Sequence, residues 1–472
     1  VVLHAAASAA VLDLALLLVG ATDVALVVAL LFAVHPVHTE AVANIAGRPE
    51  LLAALFGLVA LSAFLRARRE GATPGWDVVA CGALAAGLFS KESAFTVLPL
   101  LALLYAWTRP GRPRWHALVP YAAVGFAYVA VRRVVIGSLV LAAPPPLLDN
   151  PLAHLSTLDR LRTAAVVLRD YVAVLALPIR LSADDGFNQV PAVTSWGDAR
   201  FLVSIALLAA VAGAVWLAGR RRAGIVVVGA AFGVLALSLT ANVLFPIGTN
   251  RAERLLYLPS FGWCLALGWL GATWARGSRG RIGVVAVVLL LLAGRAWARN
   301  EDWRSNQAFF AATVAASPNG AKANKNAGSI YAMTGDWEAA QYHYERALEI
   351  DPWYALAALG LGGVRAARGA VGEARTWYAR AATLDPTLVA AHVNLGELLL
   401  RAGDSAGAEA AFRAGVKGAG PQAQLILGVL AARAAGGDAD AERLSQELRA
   451  LPPGSPEMAA ALATVRTRFQ LP

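Results

Sequence analysis

The residues able to do chemistry fall in four short polar stretches. The first is HPVHTEAVANIAGRPE, 35–50, which brings His35, His38, Glu40, Arg48 and Glu50 together between apolar runs. Imidazoles and carboxylates here line a polar cavity, stand in a solvated loop, or ligate a divalent metal. Two His at this spacing are a weak metal signal, so the cavity lining is preferred. The second stretch is SKES at 90–93, where Lys91 and Glu92 interrupt an apolar hairpin. They form a local ion pair, or Lys91 offers a point charge to an anionic head group. The third, FPIGTNRAERLLYLP at 245–259, holds Arg251, Glu253 and Arg254, with Tyr257 one turn further on. Arginine's planar fork suits bidentate contact with phosphate. The fourth is the Asp184–Asp185 pair in IRLSADDGF, a turn or else a base or metal ligand. Asn394, on the first helix of a repeat described below, is a candidate contact to a peptide backbone. No phosphate-binding glycine loop, nucleophile elbow or zinc-ligand framework is present.

The elements that must position these groups are apolar. Of 472 residues, 58% are hydrophobic and 15% charged, against about 25% charge in soluble domains. Spanning helices need roughly 17–25 mostly apolar residues. Ten candidates are 3–20, 23–37, 50–66, 76–90, 92–107, 117–136, 200–219, 223–244, 256–275 and 282–299.

Arginine clusters follow every second span: Arg66, Arg68 and Arg69; Arg109, Arg112 and Arg114; Arg220, Arg221 and Arg222; Arg276, Arg279 and Arg281. Short loops rich in Lys and Arg stay cytoplasmic. The four polar stretches then lie on the opposite face, as do Val1 and everything after the tenth span. The net charge of +10 comes from these flanking clusters, which argues against a nucleic-acid partner. Cys81 and Cys264 lie inside apolar runs, as buried small hydrophobes do. The start at Val1 lacks the charged lead and cleavage site of a signal peptide.

Residues 137–199 form an outer loop. Within it, 160–178 carries Arg160, Arg162, Arg169 and Asp170, too polar for a span; it reads as a helix in the interface or packed on the bundle. From 321 onward a period of 34 appears: Gly328, Gly362, Gly396; Ala340, Ala374, Ala408; Tyr344, Tyr378, Phe412; Pro318, Pro352, Pro386. That is the period of tetratricopeptide helix pairs, in which small residues admit close helix approach and the aromatic fills the gap. Residues 302–318 read as a half-repeat, and Gly428 with Ala441 marks a degenerate cap.

HPVHTEAVANIAGRPELLAALF, LFSKES, TLDRLRTA, FPIGTNRAERLLYLPS and the DW ahead of the repeats, in this order, resemble the transmembrane and tetratricopeptide repeat-containing protein O-mannosyltransferases of the GT-C superfamily. The resemblance covers nearly the whole chain. It implies a polyprenyl-phosphate-linked sugar as donor, transfer with inversion to Ser or Thr hydroxyls on the non-cytoplasmic face, a carboxylate base and cations on the departing phosphate. It assigns Lys91, Arg251, Arg254 and Arg48 to the lipid phosphate, and His35, His38 and Glu40 to the cavity. Glu50, Glu92, Glu253, Tyr257, Asp184 and Asp185 are further candidates. It also places the acidic catalytic motif in a first outer loop ahead of the second span. The chain reads as beginning at that second span, as a fragment does, so the catalytic base is unassigned.

The expected architecture is all-α: a polytopic GT-C-type bundle over 1–299, then a tetratricopeptide α-solenoid over 300–472. The repeats would engage an acceptor protein, in the periplasm of a bacterium or the ER lumen of a eukaryote. No metal or other cofactor is required, a divalent ion being the weaker reading. The competing function is a non-catalytic, membrane-anchored repeat scaffold.

Overall fold

A computed structural model describes residues 1–69, 72–73, 75–108, 115–137, 144–182, 186–420 and 422–471; within these, the regular elements are all helical. Arg109, Arg112, Arg114, Asp184 and Asp185 lie outside the described residues. The chain divides into two compact units, Val1–Pro318 and Asn319–Pro472. The first therefore extends past the expected boundary at 299. The Ser317 hydroxyl meets that of Ser182 at 2.7 Å, which holds the segment expected as a half-repeat to the first unit.

The first unit contains α1 (Val2–Val19), α2 (Thr22–Val34), α3 (Thr39–Ala43), α4 (Arg48–Ala67), α5 (Gly75–Ser90), α6 (Val97–Thr108), α7 (Val119–Ile136), α8 (Thr157–Ala176), α9 (Ala199–Arg220), α10 (Gly224–Leu237), α11 (Pro259–Ala275), α12 (Arg279–Glu301) and α13 (Asn306–Ala316). Each of the ten apolar segments contains a helix, the 223–244 segment only as far as Leu237. Among the described residues, five helices have the length and composition to cross a membrane: α1, α4 and α7 with their leading turns, α9 and α12. The pair Thr22–Val34 and Pro36–Ala43, bent by 48°, makes a sixth if it is one broken span. With 14 residues, α10 is shorter than a bilayer-crossing helix at 1.5 Å per residue. α8 is not among the spanning helices. Its buried face, Val166, Val167 and Tyr171, packs on Val37, Val193 and Leu256, so the packed alternative for this segment is the one realised.

Close approach depends on small residues. A Cβ on Gly229 of α10 would meet the Gly262 carbonyl of α11 at 2.5 Å, so these two backbones run nearly in contact. Elsewhere in the core Phe64 meets Tyr105 and Tyr121 edge-on, with centroids 5.6 and 5.2 Å apart.

The two ends of this bundle differ. At one, Arg66 pairs with Asp13, Arg68 with Asp77 and Arg276 with Asp23, closing the arginine-rich end with carboxylates from neighbouring helices. At the other, α2 ends and α4 begins, α5 turns into α6, and α11 starts. The polar stretches lie there.

The second unit is a run of antiparallel helices: α14 (Ala321–Met333), α15 (Trp337–Ile350), α16 (Ala355–Ala367), α17 (Val371–Leu384), α18 (Val389–Arg401), α19 (Ser405–Ala419), α20 (Ala423–Ala435), α21 (Ala439–Arg449) and α22 (Pro456–Arg468). The 34-residue period has a direct packing cause. The Cα of Gly328 faces the ring of Tyr344, Gly362 that of Tyr378 and Gly396 that of Phe412, so close that no Cβ fits at ordinary contact distance.

Candidate functional site

The first polar stretch folds as a 3-10 turn, Pro36–His38, then α3, then a second 3-10 turn, Ile45–Gly47. Gly47 is required at the last: a side chain there would strike the Ala41 carbonyl. The turns bury both imidazoles and use both nitrogens of each. His35 accepts from the Val37 N–H at 3.2 Å, so its Nε2–H is the donor to the Leu175 carbonyl at 3.1 Å. His38 places Nδ1 2.8 Å from the Phe32 carbonyl and Nε2 2.8 Å from the Ser260 hydroxyl. Glu40 is fully buried, and its carboxylate accepts from both the main chain and the guanidinium of Arg254. The donor atoms of His35, His38 and Glu40 are thus each engaged by protein groups. Among the described residues no group of three ligating side chains converges on a metal position.

Glu50 opens α4 and reaches across to the hairpin between α5 and α6. It accepts from Lys91 Nζ at 2.5 Å and from the Ser93 hydroxyl at 3.1 Å. Lys91 therefore pairs with Glu50, whereas Glu92 is exposed and stands 4.0 Å from Arg132. Glu50, Ser93, Thr240, Leu255 and Leu258 line one pocket, together with alanines of α4 and α10. That pocket joins the lysine hairpin to the arginine segment.

The third stretch is a 3-10 turn, Glu253–Leu256, leading into α11. Arg251 pairs with Asp170 at 2.9 Å, and Asp170 is shared with Arg169 at 2.7 Å. The Tyr171 hydroxyl accepts from the Ala252 N–H at 3.2 Å. Glu253 lies 3.8 Å from Arg299, at the end of α12, which also pairs with Asp302 at 2.8 Å. Tyr257 is buried and meets His4 Nδ1 at 2.6 Å, within an aromatic cluster of His4, Phe32, His38 and Tyr257. Arg48 is exposed at the start of α4, with no ion-pair partner among the described residues.

The structure thus gathers three of the four stretches at one end of the bundle. Lys91, Arg251 and Arg254 are each paired with a carboxylate. Reading the sequence misses His4, Tyr171, Arg299 and Ser260, and names Asp170 only as a charge that makes 160–178 too polar for a span.

In the repeat unit, Asn394 on α18 is half-buried. On α14, burial holds the Lys325 ammonium below the ordinary lysine range, reinforced by neighbouring Lys322.

Fold and site together define a multi-pass helical membrane protein with a charge-paired polar end, continued by a tetratricopeptide array. A tetratricopeptide-repeat family model matches residues 331–387. The chain is similar to protein O-mannosyl-transferases: 28% identical over 311 residues to F38B6.6 of Caenorhabditis elegans, covering 65% of this chain and 43% of that protein. It is 29% identical over 351 residues to TMTC4 of Homo sapiens, covering 64% and 46%. It is 30% identical over 346 residues to TMTC1 of Homo sapiens, covering 64% and 39%. The chain spans less than half the length of these relatives.

Proposed function

We propose that this chain belongs to a membrane glycosyltransferase that moves a sugar, mannose by the names of its relatives, from a polyprenyl-phosphate carrier to Ser or Thr hydroxyls of proteins. The polar end of the bundle faces the non-cytoplasmic side, and the repeats engage the acceptor. The observation that carries this reading is the convergence of Glu40–Arg254, Glu50–Lys91 and Arg251–Asp170 at one end of an apolar bundle. Buried charges are costly to keep in such surroundings and mark a site that needs them.

In this reading the acceptor oxygen attacks the anomeric carbon from the face opposite the phosphate. The bond from that carbon to the phosphate oxygen breaks, and polyprenyl phosphate leaves as an anion. Lys91, Arg254 and Arg251 offset the charge that develops on it, with Arg48 guiding the head group from the exposed edge. The carboxylates hold these cations in place until phosphate oxygens take over part of their coordination. The acceptor hydroxyl gives up its proton to solvent water as the new bond forms, with none of these side chains assigned to carry it. His35 and His38 shape the turn on which Glu40 sits.

The test is transfer of radiolabelled mannose from polyprenyl phosphate mannose by full-length protein in lipid nanodiscs. Lys91→Ala and Arg251→Ala are expected to reduce turnover about tenfold or more, the effect of losing a charge-assisted contact. Unchanged turnover in both variants removes the phosphate assignment. Failure of wild type to bind the donor leaves the membrane-anchored repeat scaffold.

A further inference from the structure

Two asparagines that the catalytic reading does not use are among the most deeply buried polar groups of the first unit. Asn150 is 0% exposed and Asn242 1%. Asn150 precedes α8 and Asn242 follows α10, so the pair joins two segments 92 residues apart in the chain. The Asn150 amide donates to Asn242 Oδ1 at 2.8 Å and to the Ile247 carbonyl at 2.7 Å. The Asn242 oxygen also accepts from the Ile247 N–H at 2.9 Å, while its amide donates to the carbonyls of Thr249 at 3.1 Å and Asn250 at 2.9 Å. The Asn250 N–H in turn donates to the Asp149 carbonyl at 3.2 Å.

Asn242 does this from a left-handed backbone, φ 57°, a conformation that asparagine tolerates better than most side chains. The whole excursion 242–250 is thereby wound around one side chain. Its exit is the Arg251–Arg254 segment. Beyond the exit, Tyr171 holds the main chain at Ala252 and Glu40 holds it at Arg254. The two arginines are therefore delivered to the site by a backbone whose upstream anchor is the asparagine pair.

We propose that Asn150 and Asn242 are positioning residues: a buried amide staple that fixes the 242–250 loop and so sets where Arg251 and Arg254 present their guanidinium groups to the phosphate of the lipid carrier. The phosphate part rests on the functional reading above. The loop-fixing part stands on the hydrogen bonds alone.

The experiment uses full-length protein in nanodiscs with polyprenyl phosphate as the probe, and compares wild type with Asn242→Asp, Asn242→Gly and Asn150→Ser. Asn242→Asp keeps the acceptor and removes both donors. Asn242→Gly keeps the left-handed turn and removes the amide. Asn150→Ser provides a milder break should either of these fail to fold. Two quantities are read: amide hydrogen exchange over 243–254, and the affinity and stoichiometry of polyprenyl phosphate. The expected result is exchange about tenfold faster over that segment, with affinity about tenfold weaker at unchanged stoichiometry. Lowered stoichiometry at wild-type affinity means that a fraction of the protein is misfolded, and overturns the positioning role. Wild-type exchange and affinity in folded variants overturn the staple altogether. If wild type itself does not bind polyprenyl phosphate, the functional reading fails, and exchange alone decides: acceleration over 243–254 upholds the loop anchor and its absence sinks it.

Discussion

The Glu40 carboxylate grips Arg254 twice, accepting from its main-chain nitrogen at 2.9 Å and from its guanidinium, across 214 residues of sequence. Glu40 is fully buried, so deleting the arginine strands a charge. Arg254→Ala is expected to destabilise the bundle by about 3–5 kcal/mol, whereas Glu40→Gln with Arg254→Gln together should cost less than the two singles summed. Thermal unfolding of wild type, the three single variants and the double variant in one detergent measures this. Strict additivity would mean that the two groups do not depend on each other.

Arg48 presents the opposite case. It is exposed and, among the described residues, unpaired. Arg48→Ala should leave stability within about 0.5 kcal/mol. Polyprenyl phosphate affinity should fall at low salt and converge with wild type at high salt, where exposed charges are screened. A titration at two ionic strengths checks this, and a salt-independent difference would argue against a steering role.

Much of this architecture is legible in the sequence, for physical reasons that also mark where legibility stops. Apolar runs announce α1, α4 and α9 because lipid demands continuous hydrophobicity. The 34-residue period announces the repeats because each glycine must face an aromatic ring, as Gly362 faces Tyr378. Pairing is invisible, since nothing local to Glu50 says that Lys91 will reach it. His4, Asp170 and Asn242 look like incidental polar residues until the fold brings Tyr257, Arg251 and Asn150 to them. The apolar run overstates α10, because apolar residues continue past Leu237 into irregular turns.

Gly362 offers a test of the repeat unit. An added methyl would lie 2.6 Å from Tyr378 Cδ1, between α16 and α17. Gly362→Ala should cost about 1–3 kcal/mol by overpacking. Hydrogen exchange should rise in α16 and α17 ahead of α20 and α21. Uniform or unchanged exchange would contradict this packing account.

Lys91 separates structure from function. Its partner Glu50 keeps the Ser93 hydroxyl, 3.1 Å away, after the lysine is removed. Lys91→Ala should therefore fold, and should gain less from added polyprenyl phosphate than wild type in a thermal-shift series, since a ligand stabilises only the state that binds it. An equal shift in both would show that the lysine does not meet the ligand.

The central claim is that the three polar stretches form one anion site at a single end of the bundle. Equilibrium titration of polyprenyl phosphate into full-length protein, comparing wild type with Lys91→Ala and Arg251→Ala, tests it most directly. The account predicts saturable binding by wild type, weakened about tenfold or more by either change, although the two residues lie on different loops. Equal affinity in all three proteins would contradict it.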